Sequence, residues 1–377
     1  MTVQKVSNHA AILVIHGIGE QNPFDTLDDF SRGVIKKYSE QGYAVEASHL
    51  CATRHSGGED WVEHYISLGL TRGGVRRQVD LHEFYWAYMT EERISLAEVM
   101  EWMNKTIDKA IGASSLPKKL QDKYHEHGGM CFTGIALPIK VLIWFFSLFD
   151  FLPTSWQPML KKVRDWFGTH FQDYIVGYLG DVAIYTATDE KSRYYRIRQD
   201  ILASGQALLE AILKEERCDR VVIAGHSLGS AIAYDMLNRL NIRANLDPAL
   251  PLNKIQGLIT FGSPLDKIAY VFREKIEGGK IIKAQIIEHL HSFKINRLLK
   301  KSYPVPVRNP FLPRLNDVRW LNYYKKEDKV SDFLVFYDIP EKDNIKLAAT
   351  GDGAVHAHLS YWEDDAFYQD FMGKLEL

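Results

Sequence analysis

The sequence predicts an α/β protein built on a mainly parallel, doubly wound sheet. Three observations predict it. Short apolar runs suited to buried strands alternate with stretches whose apolar residues recur at helical spacing. The runs end in short loops that hold glycines and polar residues, as strands of such a sheet do at their carboxyl ends. The chain of 377 residues, 46% of them hydrophobic, is long enough to bury a large core, and no repeat or low-complexity tract breaks the rhythm.

Taken in order, residues 11–15 (AILVI) read as a central strand, followed by a glycine-bearing loop over 16–23 and a helix over 25–40. Residues 43–50 alternate as a second strand and 79–89 as a third. Over 197–216 the apolar positions Ile201, Leu208, Leu209 and Ile212 return to helical spacing. A strand over 220–224, a helix over 230–240, a strand over 255–261 ending in GSP, and a strand over 318–324 ending in charged residues complete the core.

Two stretches interrupt this pattern and divide the chain. Residues 1–91 form the first part of the core, 92–196 a hydrophobic helical insert expected to act as a cap or lid, and 197–377 the second part. The insert contains GGMCFTGIALPIKVLIWFFSLF, whose only charge is Lys140. Its length approaches the roughly 20 apolar residues of a membrane span, yet Pro138 and the glycines weaken that reading. A single crossing would also part His16 from Ser227, which one sheet must hold together. A buried cap and a lid or monotopic contact with lipid both stay open. The second interruption, about 266–314, is rich in lysine and arginine; its 273–301 part reads as a solvated helical face or as a surface for anionic lipid headgroups.

A net charge of -2 excludes the broad positive field of a nucleic-acid binder. The three cysteines, Cys51, Cys131 and Cys218, lack CxxC spacing, which argues against a disulfide framework or a cysteine-rich zinc site. The apolar run before His16 is too short for a signal peptide. The expectation is a cytoplasmic protein, peripheral at the membrane through 129–152 and 273–301.

The chemistry points to one place. GHSLGS stands between VVIA and a good helix former, so Gly225, His226, Ser227, Leu228 and Gly229 form the G-x-S-x-G nucleophile elbow. The tight turn requires small residues on either side of the serine and leaves its hydroxyl exposed to reaction. The following helix aims its unpaired N–H groups where an oxyanion would form, with Leu228 as the first donor. The HGIG loop after the first strand supplies the second, Ile18 ahead of Gly17. That loop is no dinucleotide fingerprint, since Asn22 replaces the third glycine of G-x-G-x-x-G, and no P-loop motif occurs.

A serine needs a histidine base and a carboxylate to orient it. In this kind of fold both follow the serine, acid first. Asp328, in the loop KKEDKVSD past a strand end, is the favoured acid, with Asp317, Asp332 and Glu327 as alternatives. Only His356 and His358 follow it; His358 is favoured as base and His356 is the alternative. His226 leaves the turn in another direction and is assigned a packing role. His125 and His127 lack the pattern of a metal site. No cofactor and no metal is expected.

At these residues the chain resembles the α/β-hydrolase superfamily. The likeness is closest to its lipase and esterase branches, including proteins similar to the GPI-inositol-deacylase and class 3 lipase groups. HGIG, GHSLGS, TFGSP, W-x-N-x-Y-x-x-x-D-x-V from Trp320 to Val330 and H-x-x-Y-W from His358 carry the resemblance. The insert is unmatched. The resemblance implies an α/β-hydrolase fold with Ser227 as nucleophile, Asp328 as acid and His358 as base, in agreement with the residue-level reading.

The expected activity is hydrolysis of carboxylic esters, with lipid acyl esters preferred because the inserts offer an acyl chain apolar cover. An acyltransferase or thioesterase would use the same acyl-serine, and a non-catalytic membrane- or partner-binding protein could keep the fold.

Overall fold

The structure is a computed structural model that describes residues 9–18, 22–56, 59–91, 93, 98, 184–186, 191–272, 279–291, 293–295, 302–328, 330–349 and 354–377. The membrane-contact expectation for 129–152 and nearly all of the 92–196 insert therefore lie outside the described residues.

In chain order the elements are β1 (His9–Ile15), α1 (Asp25–Glu40), β2 (Ala44–Ser56), β3 (Glu59–Arg72), β4 (Val75–Phe84), α2 (Arg193–Lys214), β5 (Arg220–His226), α3 (Leu228–Arg243), β6 (Ile255–Phe261), α4 (Leu265–Phe272), α5 (Ile281–Leu290), β7 (Arg319–Tyr324), β8 (Asn344–Lys346), α6 (Ala354–Leu359) and α7 (Asp365–Lys374). Eight strands form one sheet in the order β2-β3-β4-β1-β5-β6-β7-β8. From β4 to β8 every pairing is parallel, whereas β2, β3 and β4 form an antiparallel meander.

The period of two explains how the sheet is covered on both faces. Along β1, Ala11, Leu13 and Ile15 join one apolar cluster with Ile201, Leu209 and Ile232 of α2 and α3. Ala10, Ile12 and Val14 join the other, with Leu27, Phe30 and Val34 of α1 and Phe367 and Phe371 of α7. Those α1 positions lie on one helix face, and the helix starts with Asp25 and Asp28, whose charges suit its positive end. Burying each such Leu, Val or Phe side chain stabilises the fold by about 1.5–3 kcal/mol.

The chain leaves β1 for the α1 face and leaves β5 for the opposite one. Since β1 and β5 are neighbours, a crevice opens between their carboxyl ends, where open α/β sheets bind ligands. The fold positions the site there.

Four expectations need adjustment. The strand expected at 43–50 runs on to Ser56, and the one expected at 79–89 is Val75–Phe84, with a 3₁₀ turn at Ala87–Met89. The helix expected from 197 begins at Arg193, inside what the sequence assigned to the insert, where Ser192 accepts the N–H of Tyr194. Strand β3 has no counterpart among the strands that the sequence predicts. Its buried positions include Glu63 and Ser67, which bond to His82 and Asp80 across the sheet. Polar side chains at inward positions conceal the apolar alternation that marks a strand.

Candidate active site

The elbow is built from backbone first. Ser227 has φ 50° and ψ -125°, a conformation that costs a non-glycine residue on the order of 1–3 kcal/mol. The bends on either side leave no room for side chains. A Cβ on Gly225 would lie 2.5 Å from the carbonyl oxygen of Gly229, and a Cβ on Gly229 would collide with the carbonyl oxygens of Ile15 and His16. Ser227 donates its N–H to Phe261 at 3.0 Å, and the hydroxyl of Ser230 donates to the carbonyl of Gly225 at 2.7 Å, so the turn is tied to β6 and to itself.

The loop after β1 lies against this turn: a Cβ on Gly17 would sit 2.7 Å from that of Ser227. His16 fixes the loop. Its ring stacks on Trp86 at 5.0 Å, its Nε2 accepts the Trp86 N–H at 3.0 Å, and the indole N–H of Trp86 donates to the His16 carbonyl at 3.1 Å. Burial lowers its pKa to about 4, so the imidazole is neutral and its Nε2 is an acceptor. Ile18, which follows Gly17, is buried. Leu228 opens α3, where the first N–H groups have no acceptor within the helix.

The acid and base meet on the far side of β6. His358 Nδ1 bonds to Asp328 Oδ2 at 2.9 Å, with both side chains buried. Asp328 is held on all sides: Oδ1 accepts the N–H groups of Val330 at 2.8 Å and Ser331 at 3.3 Å, and Oδ2 also accepts the hydroxyl of Tyr361 at 3.0 Å. Burial alone would raise its pKa. The hydrogen bond with His358 and the donors at Val330 and Ser331 outweigh it and hold the carboxyl well below the usual range.

Its loop is anchored from below, where Thr260 donates to Asn322 at 2.9 Å, Trp320 Nε1 donates to Thr260 at 2.9 Å, and Asn322 donates to the carbonyl of Asp332 at 3.1 Å. Asp266 accepts the N–H groups of Val335 at 2.7 Å and Phe336 at 3.2 Å.

Through these contacts the residues of the two downstream motifs act in sequence. Trp320 and Asn322 carry the loop, Asp328 orients His358, and Tyr361 braces Asp328. Of the alternatives, His356 is exposed, Asp332 pairs with Lys267, and Asp317 is exposed. Asp328 is the carboxylate that meets His358.

His226 does more than pack. Its Nε2 donates to the carbonyl of His358 at 3.0 Å and its ring lies 4.9 Å from those of His358 and Trp362. Burial, with the neighbouring His358, lowers its pKa to about 3, which keeps it neutral. The sequence places His226 beside the serine but carries no sign that it braces the helix bearing His358.

Two buried polar atoms remain without a partner at this place, Ser227 Oγ and His358 Nε2. A Cβ on Gly262 would lie 3.0 Å from His358 Cε1 and 3.1 Å from His226 Nε2, so the imidazole packs over the end of β6 beside the elbow's own histidine. A hydroxyl and an unengaged ring nitrogen, backed by an oriented carboxylate and first-turn N–H groups, can support attack on a carbonyl carbon. A cavity of about 440 Å³ lined by Tyr43, Arg77, Arg220 and Leu377 lies at the opposite, amino-terminal ends of the strands and takes no part in this site.

Compared with known families, residues 153–298 match the family described as Lipase (class 3). No curated protein and no solved structure matches the chain. The matched span contains β5, Ser227, α3 and β6 and stops short of Asp328 and His358. It supports the resemblance to the lipase and esterase branch and lipase-type ester hydrolysis. No helix among the described residues is long and apolar enough to cross a membrane.

Proposed function

Starting from a serine hydrolase of the lipase and esterase type, we propose that this chain cleaves carboxylic esters, lipid acyl esters among them, through Ser227, His358 and Asp328. One observation carries the reading. Ser227 sits on a strained, glycine-flanked turn and His358 is bonded through Nδ1 to Asp328, while Ser227 Oγ and His358 Nε2 are both left without protein partners.

With Nδ1–H donated to Asp328, His358 Nε2 is the free base and takes the hydroxyl proton of Ser227 as Oγ bonds to the ester carbon. The carbonyl oxygen gains the negative charge and accepts the N–H groups of Leu228 and Ile18, with Gly17 as the neighbouring donor. The C–O bond to the alcohol breaks and His358 returns the proton to the leaving oxygen. Water, deprotonated by the same nitrogen, then attacks the acyl-serine; the acid leaves and Ser227 regains its proton. Each of these steps is carried by the chain's own residues.

Two features support a lipid substrate beyond the family match. The insert sequence offers apolar cover worth about 0.8 kcal/mol per buried methylene. Helix α5, within the basic segment, exposes Ile282, Ile286 and Leu290, four residues apart, as a helix resting on an acyl–headgroup boundary would. Hydrolysis of p-nitrophenyl esters of increasing chain length tests this. The reading expects activity on chains of eight carbons or more, lost in Ser227→Ala. A collapse of activity beyond four carbons would remove the lipid substrate while leaving the esterase.

A further inference from the structure

The second cluster of chemically capable side chains lies on the meander. Strands β2 and β3 pair antiparallel with Cys51 opposite His64 and His49 opposite Ile66. Side chains two residues apart on one strand share a face, so His49, Cys51 and His64 project together. Their ligand atoms converge: His49 Nε2 lies 3.1 Å from His64 Nδ1, and Cys51 Sγ lies 3.2 Å from His64 Nδ1 and 3.9 Å from His49 Nε2. All three residues are exposed, and they are the group among the described residues whose geometry could hold a metal ion.

The separations carry the inference. Zinc binds imidazole nitrogen at about 2.0–2.1 Å and thiolate at about 2.3 Å, so tetrahedral angles require nitrogens about 3.3 Å apart and sulfur about 3.5 Å from each nitrogen. The sulfur–nitrogen distances found here, 3.2 and 3.9 Å, fall on either side of that value, and the nitrogen–nitrogen distance of 3.1 Å lies just short of its own. Hydrogen bonds from the His49 ring and the Cys51 thiol could each account for one side of the triangle, but the single lone pair of His64 Nδ1 does not accept both at once, whereas one metal ion satisfies all three atoms. Two imidazoles and a thiol select a borderline divalent ion over calcium or magnesium, which take oxygen ligands.

From this geometry we infer that His49, Cys51 and His64 form a binding site for Zn²⁺ on the β2–β3 hairpin, with water completing the tetrahedron. Cys51 loses its thiol proton to the solvent on binding, and His49 and His64 bind as neutral rings through Nε2 and Nδ1. The ring of Phe24 meets His64 edge-on at 5.9 Å and limits how that imidazole turns. Strand β3 stands three strands from β5, about 14 Å at ordinary strand spacing, so the ion would link β2 to β3 and not touch Ser227.

The test uses the untagged full chain, stripped with a chelator and then dialysed against micromolar Zn²⁺. Metal content by mass spectrometry should reach one zinc per chain. Co²⁺ in its place should give a thiolate-to-metal charge-transfer band. Cys51→Ser should abolish the band, and both Cys51→Ser and His64→Ala should weaken zinc affinity at least tenfold, about the least that loss of a ligand costs. Zinc should also protect Cys51 from alkylation by iodoacetamide. Failure to retain zinc overturns the inference, as does uptake that survives both substitutions, which would place the ion elsewhere, at His125 and His127 for example.

Discussion

The two halves of the sheet organise chemistry differently. In the parallel half, β1 and β5 to β8, each candidate functional group stands in the segment that follows a strand: Ile18 after β1, Ser227 after β5, Asp328 after β7, and His358 in α6 beyond β8. In the antiparallel half the candidate ligands lie within strands and meet across a hairpin. A parallel sheet gathers its carboxyl-end loops at one edge whatever their sequence separation, so motif and function coincide in the chain. A hairpin gathers residues by register, which a motif scan does not see.

The first consequence is the largest. Removing the nucleophile or its orienting partners in the parallel half should nearly abolish activity: Ser227→Ala and Asp328→Asn are each expected to lower kcat about 10⁴-fold or more, read with a short-chain p-nitrophenyl ester. His358→Ala should match them. His356→Ala should stay within about threefold of the unaltered chain, and an equal loss in both histidine variants would overturn the assignment of the base.

Next in size is a change to the elbow's frame. Gly229→Val forces a side chain against the carbonyls of Ile15 and His16, which cannot withdraw without breaking the pairing of β1. Urea unfolding should show a loss of about 3 kcal/mol or more.

A smaller effect concerns His226, which joins the elbow to the base. His226→Asn should cost about 1–3 kcal/mol at pH 7.5 through the lost bond to the His358 carbonyl. The folded pKa of about 3 lies below the unfolded 6.5. The histidine's contribution is therefore complete above pH 6.5 and is lost as pH falls toward 3. The stability gap between the chain and the variant should shrink below pH 6.5 by up to about 1.4 kcal/mol per pH unit. A gap constant from pH 7.5 to 4.5 would mean that the imidazole is not buried neutral. Smallest of all, Val62→Thr on the exposed face of β3 should alter stability by less than about 0.5 kcal/mol and leave hydrolysis unchanged.

The same contrast explains what is legible in the sequence. The bounds of α1 and β6 are readable, because strong apolar patterning ends at a glycine with positive φ in each case, Gly42 after α1 and Gly262 after β6. Ser227, Asp328 and His358 stand out through local motifs and chain order, and the structure brings His358 and Asp328 into contact. Strand β3 is not readable, since Glu63 and Ser67 occupy inward positions and leave the Gly73–Gly74 turn without a clear alternating strand before it. The His49, Cys51 and His64 cluster is hidden for the same reason: without β3 there is no register to bring His64 to Cys51. The bracing role of His226 depends on helix α6, more than a hundred residues away, which no local pattern encodes.

If Ser227 is an activated nucleophile, a fluorophosphonate probe should leave an adduct on the peptide containing Ser227, absent in Ser227→Ala and formed much more slowly in Asp328→Asn. No adduct on the folded chain with detergent present, or an adduct that persists in Ser227→Ala, would contradict it.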